Sequence, residues 1–139
     1  MKKIFAALVL GSALASCATG SKTSGMASLE GEWSVVSIDG EKVIVPEHQD
    51  APFIGFDMEK KHIYGSTSCN RLTGGLNIDE KRSAIDFSAM GSTRMMCPDM
   101  KIEDGLLNAF GRVKTYEVKK DVMKLKDANG KPVIELKKK

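Results

Sequence analysis

The feature that most constrains the fold is an alternation of apolar and polar residues with a period of two. It recurs between short turn sequences from residue 32 to residue 136. Successive side chains of a β-strand point to opposite faces, so this alternation predicts half-buried strands. The dipeptides Asp39-Gly40 and Asn129-Gly130 stand between alternating stretches and are typical of tight hairpin turns. The chain is therefore predicted to build an antiparallel sheet from hairpins.

The alternating stretches predict a series of hairpins along the chain. The first joins EWSVVSI to KVIV, the second joins FIGFDM to HIYGSTS, and the third joins GLNID to AIDFSAM. The C-terminal third adds KTYEV, VMKLKD and PVIEL. We therefore expect a mainly β (α+β) fold with about eight short strands. Closure into a compact, barrel-like sheet would remove exposed strand edges.

One segment, PDMKIEDGLLNAFGRV, breaks the period of two. Its apolar residues recur at steps of three and four, as they do along one face of a helix. Pro98 precedes the segment and Gly111 is placed to end the helix. The apolar face consists of Ile102, Leu106, Ala109, Phe110 and Val113. We expect one amphipathic helix that covers an opening of the sheet.

Residues 1–16 have the pattern of an export signal. MKK is cationic, IFAALVLGSALA is apolar, and small residues follow. The apolar run is shorter than the roughly 20 residues that a membrane-spanning helix needs. Leu14-Ala15-Ser16-Cys17 resembles the lipobox of bacterial lipoproteins, which implies lipidation of Cys17 and cleavage before it. The alternative is an ordinary secretory signal with a chance cysteine.

The lipobox divides the chain into an export signal, a tether and one domain. Residues 17–28 are interpreted as the lipidated cysteine and a flexible linker rich in glycine, serine and threonine. Residues 29–139 fit one domain, near the common size of about 100 to 150 residues. We expect a monomer in the cell envelope, lipid-anchored in the inner leaflet of the outer membrane and facing the periplasm.

The charge of the chain excludes a strongly basic nucleic-acid surface. The formal net charge is +3, and it falls to +1 when the two lysines Lys2 and Lys3 leave with the signal. Lys137, Lys138 and Lys139 form the only notable run of like charges. This run is interpreted as a solvated chain end, with weak attraction to anionic lipid as the alternative.

If Cys17 is lipidated, Cys69 and Cys97 remain as an even pair, which predicts a disulfide in an exported domain. Such a bridge would contribute roughly 3 to 4 kcal/mol by the chain-entropy estimate. The alternative is a reactive thiol activated by a neighbouring arginine, which also needs a base. His48 and His62 are the only histidines, and neither has a spacing that pairs it with a cysteine.

Thioether and thiolate ligands near Cys97 raise the question of a Cu(I) site. The residues concerned are Met90, Met95, Met96, Cys97 and Met100. Methionine also fills gaps in hydrophobic cores, and adjacent residues of a strand point to opposite faces. Packing is therefore the favoured interpretation, and we predict no metal and no cofactor.

The stretch IYGSTSCNRLTGG, followed by GSTRMMC and then an acidic amphipathic helix, is similar to the META domain family. The early L-x-G-x-W and the late L-x-D-x-x-G fit the same family, and the resemblance extends from Leu29 to Leu136. It implies a lipocalin-like META fold in an envelope protein linked to heat-shock stress and drug tolerance. It implies no settled enzyme activity, substrate or cofactor. The motif residues Asn70, Arg71, Thr93 and Arg94 become candidate binding residues.

If the two motif segments lie side by side, Cys69 can meet Cys97 and Arg71 approaches Arg94. Two guanidinium groups repel each other unless a carboxylate lies between them. We expect salt bridges to one of the nearby acidic residues Asp86, Asp99 or Glu103, with binding of an anion as the alternative.

Three functions from different classes remain open. The lipobox and the family resemblance favour a non-catalytic binding or interaction module that works with an unknown envelope protein. A carrier would hold a small apolar ligand in the mouth of the barrel, unless aromatic side chains fill the interior. Those aromatic residues are Trp33, Phe53, Phe56, Phe87, Phe110 and Tyr116. A thiol enzyme is disfavoured because no base is identified beside either cysteine.

Overall fold

The computed structural model describes residues 29–139, so the predicted signal, the lipobox Cys17 and the linker lie outside the described residues. The strands in chain order are β1 (Gly31–Ile38), β2 (Glu41–Lys42), β3 (Phe53–Asp57), β4 (His62–Ser66), β5 (Arg71–Gly75), β6 (Asn77–Asp79), β7 (Ala84–Asp86), β8 (Met90–Ser92), β9 (Thr115–Lys119), β10 (Val122–Lys126) and β11 (Pro132–Lys138). The helix α1 (Lys101–Arg112) lies between β8 and β9. No helix within residues 29–139 is long and apolar enough to cross a bilayer.

All strands belong to one curled sheet with the order β6-β7-β9-β10-β11-β1-β3-β4-β5-β8, while β2 pairs with β1. Every pairing is antiparallel. Only Leu76 separates β5 from β6, and these strands pair with β8 and β7 respectively. Strands β5 and β6 therefore form one arm of a long interrupted hairpin, and β7 and β8 form the other arm. The whole sheet is curled into a half-barrel.

The predicted mainly β, barrel-like antiparallel sheet is confirmed, but the predicted number of about eight strands is too low. Within residues 29–139 the sheet has 11 strands, of which β2 is only two residues long. The difference arises because short interruptions divide one long hairpin into four strands. The stretch RLTGG, which was not among the predicted strands, is strand β5.

The two predicted hairpin turns differ in length. Asp39 and Gly40 have φ values of 49° and 82°, and a two-residue turn of this kind requires positive φ at both positions. In the second turn only Gly130 has positive φ, because the loop is longer and closes where Asp127 N donates to Lys131 O at 2.9 Å. The predicted strand KVIV is also cut short, since β2 ends at Lys42 and Ile44 is exposed.

The inward face of the sheet forms one hydrophobic core. Trp33 and Phe56 are almost fully buried, and the indole Nε1 of Trp33 donates to Leu29 O at 2.8 Å. Of the aromatic residues considered for a barrel mouth, all except the half-buried Phe53 are buried. These side chains occupy the interior that a barrel-mouth ligand would need.

The helix covers one end of the curled sheet. Leu106, Ala109 and Phe110 are buried on its inner face, and the Phe110 ring lies 4.9 Å from the Phe87 ring between centroids. The helix does not end at Gly111 as predicted. The helix continues to Arg112 and ends where Val113 becomes extended.

An ion pair ties the C-terminal end of α1 to the turn between β1 and β2. The Arg112 guanidinium donates to the Asp39 carboxylate at 2.6 Å. This hydrogen bond lowers the pKa of the Asp39 carboxyl below its usual value and raises the pKa of Arg112. A cation in the last helical turn also interacts favourably with the helix dipole.

The terminal lysines have partners within the domain. Lys137 lies 3.9 Å from the Asp121 carboxylate, and Lys139 lies 3.0 Å from the Glu32 carboxylate. The Lys138 ammonium donates to Glu30 O and lies 4.6 Å from the centroid of the Trp33 ring. The run is therefore the last part of β11 and its end, held to the N-terminal part of the domain.

Candidate functional site: the Cys-Asn-Arg motif

The turn between β4 and β5 presents Cys69 and Asn70 side by side. Thr67 N donates to Asn70 O at 2.9 Å, and Ser68 N donates to Ser66 Oγ at 3.2 Å. Ser68 has a φ of 87°, a conformation that is unfavourable for a residue with a Cβ. Strain of this kind persists only where neighbouring interactions hold the backbone in place.

One of these neighbouring interactions is a disulfide. The sulfur atoms of Cys69 and Cys97 are 2.06 Å apart and their Cα atoms are 5.9 Å apart. The bridge connects the β4–β5 turn to the segment that follows β8. Because β5 pairs with β8 through Leu72 and Ser92, the two sequence motifs do lie side by side. The position of the cysteines supports the pairing expected from their even number.

The side chain of Asn70 binds the same segment through its amide. Its Oδ1 accepts from Met95 N at 2.6 Å and from Thr93 Oγ1 at 2.8 Å. Its Nδ2 donates to Met95 O at 3.0 Å. Asn70 itself is 1% exposed, whereas its partners Met95 and Thr93 lie at the surface. One buried amide therefore holds both backbone groups of Met95.

Glu103 of α1 completes the network. Its Oε1 accepts from Asn70 Nδ2 at 2.7 Å, and its Oε2 accepts from Thr67 Oγ1 at 2.5 Å and from Asn70 N at 3.2 Å. The carboxylate is buried, with Glu103 only 4% exposed. A buried carboxylate is tolerated when hydrogen-bond donors surround it. Here the donors come from the β4–β5 turn.

The sequence interpretation missed this role of Glu103, although the helical pattern contained a signal for it. Residue 103 lies three positions before Leu106, and residues three apart share a helix face. Glu103 is therefore a carboxylate on the apolar face of an amphipathic helix. A charge at such a position needs a buried polar partner, which the sequence alone does not identify.

The expected salt bridges of the motif arginines are wrong. Arg71 and Arg94 are exposed, and neither takes part in any ion pair within residues 29–139. The three proposed acidic partners each accept other hydrogen bonds. Glu103 binds the motif turn, Asp86 accepts from Ser88 N at 2.6 Å, and Asp99 accepts from Lys101 N at 2.8 Å.

The predicted packing of the methionines near Cys97 is confirmed for Met90, which is partly buried against the core, and is wrong for Met95 and Met96. Met95 is 58% exposed and Met96 is 88% exposed, so neither packs in the core. Both lie in residues 93–97, here named the clamped segment, which the disulfide and Asn70 keep at the surface. Met100 Sδ accepts from Cys97 N at 3.4 Å. The described residues contain no cluster of His, Cys, Asp or Glu that could hold a metal ion.

Within residues 29–139, neither histidine is hydrogen-bonded to Cys69 or Cys97. His62 Nε2 is 3.2 Å from Thr73 Oγ1, and His48 is exposed beside Glu47. The sulfur of Cys69 is bonded to Cys97 and contacts Met95 O and Asn70 Nδ2, each at 3.6 Å. In this arrangement both sulfurs, the amide and the carboxylate hold a surface segment in place.

Two surface grooves flank the helix. One, of about 240 Å³, is lined by Phe87, Met90, Leu107 and Phe110 among others. The other, of about 350 Å³, lies between α1 and the β1–β2 hairpin, with Ile38, Val43, Ile44 and Ile102 in its wall. Both are apolar in part, and neither includes a residue of the Cys-Asn-Arg motif.

A model of the META domain family matches residues 27–139. The chain belongs to the META domain family. The resemblance of its motifs to those of the heat-shock lipoprotein HslJ is consistent with this family. The match covers every strand and the helix, so the motif network described above is a feature of this META domain.

Solved structures show the same fold. A protein known from an NMR structure has a TM-score of 0.60 and 22% identity, covering 78% of this chain and 89% of its own. A protein from Burkholderia xenovorans, also solved by NMR, has a TM-score of 0.62 and 22% identity, with coverages of 81% and 86%. A DUF4847 family protein from Bacteroides vulgatus has a TM-score of 0.58 and 14% identity, with coverages of 81% and 94%. A comparison with curated proteins finds no match.

We expect both motif thiols to be blocked in the native META domain. The test uses a chain carrying Cys17→Ala, in which Cys69 and Cys97 are the remaining cysteines. Alkylation of the folded, non-reduced protein followed by mass analysis should label neither residue, and reduction should expose both together.

The single variants supply the control for this measurement. Cys69→Ser should leave Cys97 free to alkylate, and Cys97→Ser should do the same for Cys69. Rapid labelling of one cysteine in the otherwise unchanged folded protein would contradict a stable disulfide. It would return the motif to the candidate thiol sites.

Proposed function

We propose that this protein is a lipid-anchored lipoprotein of the bacterial envelope whose META domain is a non-catalytic binding module. The anchor is Cys17, and the site of action is the inner leaflet of the outer membrane facing the periplasm. The module works as a monomer during envelope or heat-shock stress and contributes to drug tolerance. The lipobox and the similarity to HslJ support this assignment.

The proposal depends on one observation: the polar groups of the motif are hydrogen-bonded within the domain. The Glu103 carboxylate accepts hydrogen bonds from Asn70 Nδ2, Asn70 N and Thr67 Oγ1, and the two cysteines are bonded together. A general base needs a free lone pair and a nucleophile needs a free thiol or hydroxyl within its reach. This network instead stabilises the position of residues 93–97. Pre-organisation of a surface segment lowers the cost of binding.

A carrier of a small apolar ligand is the second candidate. The groove of about 350 Å³ between α1 and the β1–β2 hairpin has the volume of a small-ligand site and several apolar side chains. It ranks lower because Ile44 in its wall is 79% exposed, whereas carriers bury most of their ligand. A thiol enzyme is the least supported function, because Cys69 and Cys97 are bonded together.

The proposal predicts that lipidation and the exposed motif segment are both required in cells. In a strain that lacks the gene, the wild-type chain should restore growth under heat stress and fractionate with membranes after a high-salt wash. Cys17→Ala should give a soluble or unprocessed form in place of the anchored protein, because the acyl chains on Cys17 supply the anchor and cleavage before residue 17 depends on the cysteine. Arg94→Ser with Met96→Ser should stay anchored but restore growth poorly.

Arg82→Ser is the matched control, since Arg82 is an exposed arginine outside the motif. It should restore growth as well as the wild-type chain. Full membrane retention of processed Cys17→Ala after the salt wash would contradict the anchor. Full rescue by the Arg94→Ser, Met96→Ser double variant would contradict a binding role for the motif segment.

A further inference from the structure

The arginines of the domain divide into two kinds. Arg82 lies 3.6 Å from the Asp79 carboxylate, and Arg112 lies 2.6 Å from the Asp39 carboxylate. Arg71 and Arg94 take part in no ion pair among the described residues 29–139. Both unpaired arginines belong to the clamped motif. Their positive charge is available to a partner outside the domain.

The most exposed large apolar side chain of residues 29–139 belongs to the same segment. Met96 is 88% exposed, and its neighbour Met95 is 58% exposed. Met95 cannot withdraw into the core without breaking its two backbone bonds to Asn70, of 2.6 and 3.0 Å. The fold therefore keeps apolar side chains in water next to Arg94. Arg71 is exposed on the neighbouring strand β5, and its backbone O accepts from Thr93 N at 3.1 Å, which places this residue beside the start of the segment.

We propose that Arg71, Arg94, Met95 and Met96 form a surface, the Arg–Met surface, that docks the domain on an anionic lipid bilayer. The guanidinium groups would bind lipid phosphates, a geometry that arginine suits well. The methionine side chains would enter the region between headgroups and acyl chains. This inference names a partner for the proposed binding module and rests on that function.

The size of the surface favours a bilayer over a protein partner. A stable protein–protein interface buries about 800 Å² on each side and involves roughly 20 to 30 residues. The Arg–Met surface consists of a few side chains, which gives only weak binding to a free partner. A domain tethered at Cys17 by the predicted linker would remain within roughly 20 Å of the bilayer. Tethering makes a weak second contact effective.

The lysine run is a poorer candidate for the same role. Lys137 and Lys139 lie beside the carboxylates of Asp121 and Glu32, and Lys138 donates to Glu30 O. Their charge is partly compensated within the domain. Asp99 is the carboxylate closest in sequence to Met96, and it accepts from Lys101 N at 2.8 Å. The uncompensated cations of the domain thus include the two motif arginines.

Vesicle binding by a chain without the lipid anchor tests this surface directly. The chain carries Cys17→Ala and lacks the signal residues 1–16, so that neither acyl chains nor the apolar signal contribute. It should co-sediment with vesicles of phosphatidylglycerol and phosphatidylcholine, bind pure phosphatidylcholine much more weakly, and dissociate as salt rises. Arg94→Ser and Arg71→Ser should each weaken partitioning about fivefold, and Met96→Ser about tenfold.

Arg82→Ser removes the same charge from a paired arginine and should change partitioning less than twofold. Thermal unfolding checks that each variant is folded. Equal losses for Arg82→Ser and Arg94→Ser would overturn the proposal, because net charge alone would then explain the binding. Absence of binding to anionic vesicles would also overturn it, in favour of an acidic protein partner. The growth test of Arg94→Ser with Met96→Ser would then still decide the binding function separately.

Discussion

Leu106→Ala is expected to lower the free energy of unfolding by about 2 to 5 kcal/mol. Leu106 is 0% exposed and lies on the inner face of α1, between the sheet and the helix. Alanine would remove apolar contacts and leave a cavity that the curled sheet cannot fill by moving one element. Urea unfolding followed by tryptophan fluorescence suits the measurement, because Trp33 is buried in the same core.

Leu107→Ala is the matched control for this prediction. Leu107 is the next residue on the same helix and is 39% exposed, so its truncation should cost less than about 1 kcal/mol. Both substitutions have the same effect on helix propensity, so their difference isolates burial. A loss below about 0.5 kcal/mol for Leu106→Ala would mean that the helix does not cover the sheet.

Asn70→Ala is the second change expected to have a large effect. It should lower the free energy of unfolding by about 3 to 5 kcal/mol. The variant removes the donor to Glu103 Oε1 and both bonds to Met95. A buried carboxylate left with fewer donors is strongly destabilising, because its charge is then poorly compensated. Denaturant unfolding of the variant with its disulfide intact measures this loss.

Asn108→Ala provides the matched control, because Asn108 is an exposed asparagine whose side chain, among residues 29–139, accepts a single hydrogen bond, from Arg112 Nε at 3.1 Å. Its loss should stay within about 0.5 kcal/mol. A double-mutant cycle with Glu103→Ala then tests the pair itself. We expect a coupling energy above about 1 kcal/mol between Asn70 and Glu103. Additive effects of the two substitutions would contradict a shared network.

The motif has a different meaning in the structure from the one that its residue types suggest. Cysteine, arginine and methionine together are compatible with a thiol site or a metal site. In the fold, Cys69 and Asn70 act as attachments for residues 93–97, and Glu103 fixes Asn70 to α1. What the site offers to other molecules is therefore the outward surface of that segment.

Much of the fold could be predicted because its signals are local. The β1–β2 turn at Asp39-Gly40, the β3–β4 hairpin and the inner face of α1 follow from residues close together in the sequence. The number of strands could not be predicted as reliably. Interruptions such as Leu76 between β5 and β6 depend on how far a strand must bend to stay in the sheet.

The candidate site depends on contacts that local sequence signals do not specify. The even pair of cysteines and the order of the two motifs were sufficient to predict that Cys69 and Cys97 lie together. The carboxylate partners predicted for Arg71 and Arg94 are wrong, and so is the predicted role of Glu103 as one of those partners. Several carboxylates are near the two arginines in sequence, and distance along the chain does not identify which of them forms a pair. Which carboxylate turns inward depends on the orientation of α1 against the β4–β5 turn.

The sequence by itself determined the type of each element, because hydrophobic periodicity and turn residues act within a few positions of the chain. Only the tertiary structure decided that Glu103 is buried against Asn70 while Met95 is held at the surface. A buried carboxylate takes whichever donors the fold brings to it, and an exposed methionine stays outside when its backbone is bonded elsewhere. Both outcomes depend on contacts between segments distant in sequence, such as β5 with β8.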